Sequence, residues 1–70
     1  MQKQYYDLNQ AIRDAQARAN ARGCVMVVYQ QHLGDGSRTG YWVDPESYYR
    51  SDVKDVFETT LNATVKPENA

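Results

Sequence analysis

The chain has 70 residues and a single cysteine, and its 8 Lys and Arg against 9 Asp and Glu give a net charge of −1. This balance excludes a strong global attraction to nucleic acid or to an anionic membrane, and a lone cysteine excludes a disulfide within the chain. A domain of this size buries only about 60% of its unfolded surface and needs further stabilisation. We expect that stabilisation to come from a partner protein or from self-association.

The first predicted element is a helix that follows an N-terminal extension, residues 1–6. Asp7 is placed as its N-cap, Gln10 stands three residues later as in a capping box, and Gly23 suits the left-handed residue past its end. Apolar residues recur at helical spacing and form one narrow stripe: Leu8, Ala11, Ile12, Ala15 and Ala19. Because the stripe is mostly alanine, we expect the helix to lie close against its packing partner.

A β-hairpin is predicted directly after the helix. The apolar run 24–29 turns at Asp35 and Gly36 and returns through residues 41–43. With a two-residue turn, the predicted cross-strand pairs are Val28 with Val43, Tyr29 with Trp42, and Gln30 with Tyr41. A longer loop at residues 33–37 would shift this register by one residue.

Both faces of the hairpin are apolar. A half-buried antiparallel strand normally alternates apolar and polar residues, so each face here needs a cover. Because side chains alternate along a strand, one face of the hairpin carries Cys24, Met26, Val28, Tyr41 and Val43. The other face carries Val25, Val27, Tyr29 and Trp42. A chain of this length has little material for two covers, which indicates a partner.

A second helix is predicted after the hairpin. The Asp-Pro-Glu sequence at residues 44–46 places an aspartate as N-cap and a proline at the first helical position. A second start signal lies at residues 51–52, so the helix covers either residues 45–61 or, after a short turn through Tyr49, a segment beginning at Asp52. In either version one face carries Tyr49, Val53, Val56, Phe57 and Leu61.

These elements predict a small single α+β domain at residues 7–61, in the order helix, strand, strand, helix, with an antiparallel β-hairpin packed against the helices. The apolar pattern stops at Leu61, so residues 62–70 are predicted to form a flexible C-terminal tail. No apolar stretch approaches the ~20 residues of a membrane span, and residues 1–6 lack the apolar core of a signal peptide. The expected location is therefore the cytoplasm.

No residue pattern predicts catalysis. Cys24 begins an apolar strand, as a small buried hydrophobe does, and lacks the electropositive setting of a nucleophile. His32 is expected to be solvated beside the turn, and one Cys with one His cannot complete a tetrahedral zinc shell. The acidic pairs at residues 44–46 and 52–55 fit helix starts better than a cation site. We expect no enzymatic activity, metal, cofactor or small-molecule substrate.

Aromatic residues carry the functional prediction. Six Tyr, one Trp and one Phe are many for a chain of 70 residues, and Tyr and Trp supply large contact area at low entropic cost. The residues predicted to bind protein are Tyr29, Arg38, Tyr41, Trp42, Tyr48 and Tyr49. The leading hypothesis is a non-enzymatic regulator or inhibitor that occupies a surface of a larger protein, and a homodimer is a further way to cover the second face. In size and style the chain resembles accessory proteins of phages or other mobile elements.

The alternative hypothesis is a nucleic-acid-binding regulatory protein. Its predicted contacts are Arg13, Arg18, Arg22, Arg38 and Arg50, with tyrosines stacking on bases. Because the chain has no basic excess, nucleic acid is the less expected partner.

Overall fold

A computed structural model describes residues 4–68 as a three-stranded antiparallel sheet with helical segments on both faces. The elements in chain order are α1 (Leu8–Arg22), β1 (Met26–Gln31), β2 (Trp42–Pro45), α2 (Glu46–Tyr48), a π-helical stretch (Tyr49–Val53) that continues α2, and β3 (Thr59–Val65). The strand order is β2-β1-β3. The predicted α+β class is confirmed. The predicted extension 1–6 and tail 62–70 lie partly outside the described residues.

Helix α1 has the predicted ends. The Asp7 side chain accepts a hydrogen bond from the backbone N–H of Asn9 at 2.9 Å, and Gly23 ends the helix with φ of 67°. The N–H of Gly23 donates to the carbonyl of Ala19 at 2.8 Å, which satisfies one of the last helical carbonyls. The fully buried residues of the helix are Ala11, Ala15 and Ala19. Because these side chains are so small, the helix lies close to the sheet.

The predicted hairpin register is confirmed over β2. The observed pairs include Val28 with Val43 and Tyr29 with Trp42. The third predicted pair is wrong, because Tyr41 does not face Gln30 but forms a bridge with Tyr5 from the N-terminal segment.

The turn explains this difference. The connection closes through a hydrogen bond from the N–H of Leu33 to the carbonyl of Ser37 at 2.8 Å, and His32 forms a bridge with Arg38. The loop is therefore the longer alternative at residues 33–37, and the ladder next to it is shifted by one residue. The extra residue of the returning chain lies at residues 39–41, where the N–H of Thr39 still donates to the Gln31 carbonyl but Tyr41 pairs with the N-terminal segment.

The predicted second helix and flexible tail are wrong in their extent. The helical segment ends at Val53, so neither residues 45–61 nor a segment starting at Asp52 forms the predicted helix. Thr59–Val65 instead forms β3, which pairs antiparallel with β1 and orders the first part of the predicted tail at residues 62–70. The strand contains four β-branched residues, which favour extended backbone. Its hydrogen bonds come from pairing with a strand distant in sequence.

The sheet has a separate apolar core on each face. The core on the first face, under α1, contains Ala11, Ala15, Ala19, Met26, Val28, Val43 and Val65, with Cys24 and Tyr41 at its margin. The core on the second face contains Val27, Tyr29, Tyr49 and Val53, with Trp42 partly buried beside them. The predicted sorting of strand residues between the faces is therefore confirmed for these positions. The π-helical stretch supplies much of the cover on the second face.

Within residues 4–68, no helix combines the length and apolar character that crossing a membrane requires.

Candidate protein-binding surface

Two tyrosines hold the cover of the second face in place. The Tyr29 hydroxyl donates a hydrogen bond to the carboxylate of Asp44 at 2.6 Å, and both residues are buried. The ring of Tyr29 also contacts that of Tyr49, with centroids 4.8 Å apart and planes tilted by 46°. The Tyr49 hydroxyl forms a hydrogen bond with Thr59 Oγ1 at 2.7 Å. These contacts link β1, β2, the π-helical stretch and β3.

The contact between Tyr29 and Asp44 has an electrostatic consequence. Burial raises the pKa of the Tyr29 hydroxyl well above its usual value, and the hydrogen bond to Asp44 and the charge of that carboxylate raise it further. Asp44 was predicted to cap the second helix, but it lies within β2, and Pro45 is the residue that precedes α2 at the N-cap position. The position of Asp44 within β2 directs its carboxylate to the hydroxyl of Tyr29.

The six residues predicted to bind protein do not share one surface. Tyr29 and Tyr49 are core residues, 1% and 7% exposed, so their contact area is used inside the chain and does not fit direct contact with a partner. Tyr41 is half-buried on the first face. The half-buried indole of Trp42, on the second face, donates its N–H to Thr39 Oγ1 at 3.0 Å.

The other two predicted residues are exposed at separate places. Arg38 belongs to the connection between β1 and β2, and Tyr48 ends α2. Protein binding by these two residues, and by the half-buried Tyr41 and Trp42, stays a prediction.

Two adjoining concave regions lie between the π-helical stretch and β3. We name them together the β3 groove, and the residues that line both are Tyr49, Lys54 and Leu61. Its narrower part encloses about 260 Å³ and is completed by Val27, Glu46, Arg50 and Thr64. Its wider and more open part, about 550 Å³, is completed by His32, Phe57, Glu58 and Thr59. Sequence reasoning missed this groove because its floor includes β3.

Large apolar side chains remain half in water along this groove. Phe57 is 48% exposed and Leu61 is 49% exposed, and both line its wider part. Val56, next to Phe57, is more exposed still. The backbone N–H groups of Val56 and Phe57 donate to the carbonyl of Val53 at 3.1 and 2.9 Å, so a hydrogen-bonded turn holds this segment.

The apolar face predicted for the second helix is thus divided. Tyr49 and Val53 are buried, whereas the three residues that follow them on that predicted face are exposed: Val56, Phe57 and Leu61. The division arises because the helical segment ends at Val53 and the chain turns into β3.

The charged groups of the groove are of both signs. Arg50 forms an ion pair with Glu46 at 3.5 Å, four residues apart on the helical segment. Lys54 lines both parts, and Glu58 lies at the wider end. His32, expected to be solvated, is half-buried, with Nε2 2.6 Å from Thr60 Oγ1. The groove therefore offers an apolar surface flanked by charged side chains of both signs.

The arginines of the nucleic-acid hypothesis are divided between the two faces of the sheet. Arg13, Arg18 and Arg22 lie on α1, over the first face, whereas Arg50 belongs to the π-helical stretch over the second. Arg18 also contacts Asp14 at 2.9 Å. Arg38, the fifth predicted contact, lies in the connection between β1 and β2. The five arginines are therefore spread over both faces of the sheet and a loop.

The described residues show no arrangement for metal binding. Across residues 4–68, no three or more His, Cys, Asp and Glu side chains are grouped closely enough to hold a metal ion. Cys24 is half-buried at the margin of the first core, with its sulfur 3.8 Å from that of Met26. This position agrees with the interpretation of Cys24 as a packing residue.

Comparison of the chain with protein-family models, with curated proteins and with solved structures finds no match. Its function therefore has to be inferred from its own geometry.

Proposed function

We propose that the protein is a non-enzymatic binding protein that regulates or inhibits a larger protein by docking through the β3 groove. The observation that carries this proposal is the pair Phe57 and Leu61, both half exposed and both lining the same groove. Apolar side chains that stay partly in water around a concave surface are typical of protein interaction sites. A second surface in contact with them would remove this apolar area from water.

The chemistry of the groove specifies the kind of partner. A bulky apolar side chain of the partner fits between Phe57 and Leu61, because that part of the groove is open. Lys54 and Glu58 beside it provide for polar neighbours of either sign. We expect binding to depend mainly on apolar contact and only weakly on salt, in contrast to binding of a phosphate backbone.

Affinity capture with a matched pair of variants tests the proposal. Leu61 and Leu33 are both 49% exposed, but only Leu61 lines the groove, whereas Leu33 lies at the loop between β1 and β2. The tagged chain, Leu61→Asp and Leu33→Asp are incubated with lysate of the source cells, and retained proteins are quantified by mass spectrometry. We expect a protein retained by the wild type and by Leu33→Asp to be reduced about tenfold or more with Leu61→Asp.

Two results would contradict the proposal. One is equal retention of that protein by both variants, which would place the contact elsewhere. The other is binding of DNA or RNA with a steep salt dependence, which would favour the nucleic-acid alternative. Thermal unfolding of both variants, followed by circular dichroism, controls for loss of the fold.

A further inference from the structure

Lys54 is the charged residue that both parts of the β3 groove share. It directly follows the π-helical stretch, and its backbone N–H donates to the carbonyl of Tyr49 at 2.9 Å, which holds the residue at the groove. The side chain is exposed, and no ion pair within residues 4–68 includes it. Its positive charge is therefore available to a bound molecule.

The two parts of the groove differ in the charges that line them. The narrower part is lined by Glu46, Arg50 and Lys54, and because Glu46 forms an ion pair with Arg50 at 3.5 Å, one positive charge is left unbalanced. The wider part carries one charge of each sign, on Lys54 and Glu58, beside His32. The narrower part is therefore the positive end of the groove.

The narrower part also has the size and polar groups to receive an acidic side chain. It encloses about 260 Å³ against the buried Val27 and Tyr49. Thr64, which pairs with Val27 in the sheet, is exposed there and adds a hydroxyl that can donate a hydrogen bond. A carboxylate in this part can contact the ammonium of Lys54 and the hydroxyl of Thr64, and hydrogen bonds to a charged group are the stronger kind.

We propose that the β3 groove selects a segment of the larger protein in which an acidic side chain neighbours a bulky apolar one. This inference rests on the proposed function and adds the chemical character of the partner. The apolar side chain lies between Phe57 and Leu61 in the wider part, and the carboxylate lies beside Lys54 in the narrower part. Because Lys54 and Leu61 line both parts, side chains close together in sequence can reach both positions.

The acidic contact is expected to add selectivity more than affinity. Lys54 is exposed, and water and salt screen an exposed ion pair, so apolar contact remains the main source of affinity. A segment with Lys or Arg at this position would instead meet the unbalanced positive charge of the narrower part, which disfavours it. Glu58 at the wider end disfavours a second acidic residue there, which gives the bound segment a direction.

Selection from a random peptide library displayed on phage tests the inference. The immobilised proteins are the wild type, Lys54→Glu and the control Lys66→Glu, which makes the same change of charge at an exposed residue outside the groove. We expect peptides enriched on the wild type to combine Asp or Glu with a neighbouring bulky apolar residue. Lys54→Glu should lose this acidic preference, whereas Lys66→Glu should keep it.

The affinity of one enriched peptide, synthesised with its acidic residue or with lysine in that place, measures the contact. Lys54→Glu should bind the acidic peptide about fivefold more weakly than the wild type does and should bind the lysine peptide more tightly than the wild type does. Lys66→Glu should bind both peptides as the wild type does. Lys54→Gln removes the charge without reversing it, should bind the acidic peptide with intermediate affinity, and provides the test if Lys54→Glu fails to fold.

Three results would overturn the inference: enrichment of no peptide over a bare surface, enriched peptides without an excess of Asp or Glu, or an acidic preference that Lys54→Glu leaves unchanged. If peptides without an acidic excess still lose binding with Leu61→Asp, only the acidic contact is wrong and the proposed function stands. If binding of the acidic peptide depends on Lys54 but not on Leu61, the acidic contact stands and the apolar docking of the proposed function is wrong.

Discussion

The first face of the sheet is covered by a regular helix and small side chains, whereas the second is covered by a short irregular segment and two tyrosines. On the first face, the fifteen residues of α1 bring three fully buried alanines against an apolar surface. On the second, hydroxyl and carboxylate groups are buried together, and Phe57 and Leu61 remain half in water. This difference indicates that the closed core of the first face mainly stabilises the fold, whereas the second face leaves large apolar side chains exposed to water.

The largest effect is expected from a substitution in the core of the first face. Met26 is fully buried beneath α1, and Met26→Ala should lower the free energy of unfolding by about 2–5 kcal/mol because it leaves a cavity in a closed core. Urea denaturation measures this change. Leu33→Ala, at a half-exposed loop position, is the control and should change stability by less than about 0.5 kcal/mol. Similar losses in both variants would show that the first face is not the main source of stability.

The next effect concerns the polar contacts of the second face. Tyr29→Phe removes the buried hydrogen bond that the hydroxyl donates to the Asp44 carboxylate, which should lower the free energy of unfolding by about 1–3 kcal/mol. Tyr48→Phe removes a hydroxyl from an exposed side chain and should have little effect. If both variants unfold at the same urea concentration as the wild type, the hydroxyl of Tyr29 does not hold the second face together.

The same tyrosine makes the second face sensitive to alkali. Burial and the Asp44 carboxylate raise the pKa of the Tyr29 hydroxyl in the folded chain. The stabilisation that the neutral hydroxyl gives the fold is therefore fully present below the pKa of tyrosine in the unfolded chain, about 10, and is lost as the pH rises above it. The loss approaches roughly 1.4 kcal/mol for each pH unit beyond that value. Urea denaturation between neutral and alkaline pH should show a shallower decline for Tyr29→Phe than for the wild type. Equal declines in the free energy of unfolding for the two proteins would show that ionisation of Tyr29 is not the cause of the alkaline loss.

Local sequence signals predicted the first face well. The caps Asp7 and Gly23 are chemical properties of single residues, and the alternation along β1 assigns each side chain to a face once a strand is assumed. The pairing of Tyr29 with Trp42 was predicted from a two-residue turn, and it holds with the longer loop only because an extra residue at 39–41 compensates for the shift. The predictions of the helix caps and of the faces of β1 succeeded because they depend on neighbours in sequence.

The second face depends on contacts that are distant in sequence. Tyr49 and Val53 have the spacing of an ordinary α-helix, and nothing in that spacing indicates a π-helical stretch that ends at Val53. β3 has few apolar residues, so only the β-branched character of residues 59–65 signalled a strand. Without β3 the groove could not be predicted. Tyr29 and Tyr49 therefore seemed available for a partner, although they contact each other inside the chain.

The smallest effect is expected at Leu61, which is compared with Val65 in the same strand. Leu61, on the second face, is 49% exposed, whereas Val65, packed under α1, is 8% exposed. Val65→Thr places a hydroxyl in a closed apolar core and should cost about 1–3 kcal/mol of unfolding free energy. Leu61→Thr removes more apolar volume but should cost less than about 0.5 kcal/mol, since much of the leucine is already in water and threonine favours strands. Urea denaturation measures both changes. A larger loss for Leu61→Thr would mean that this leucine is needed for the fold itself, and the exposed part of the second face would then lose its interpretation as a surface kept for binding.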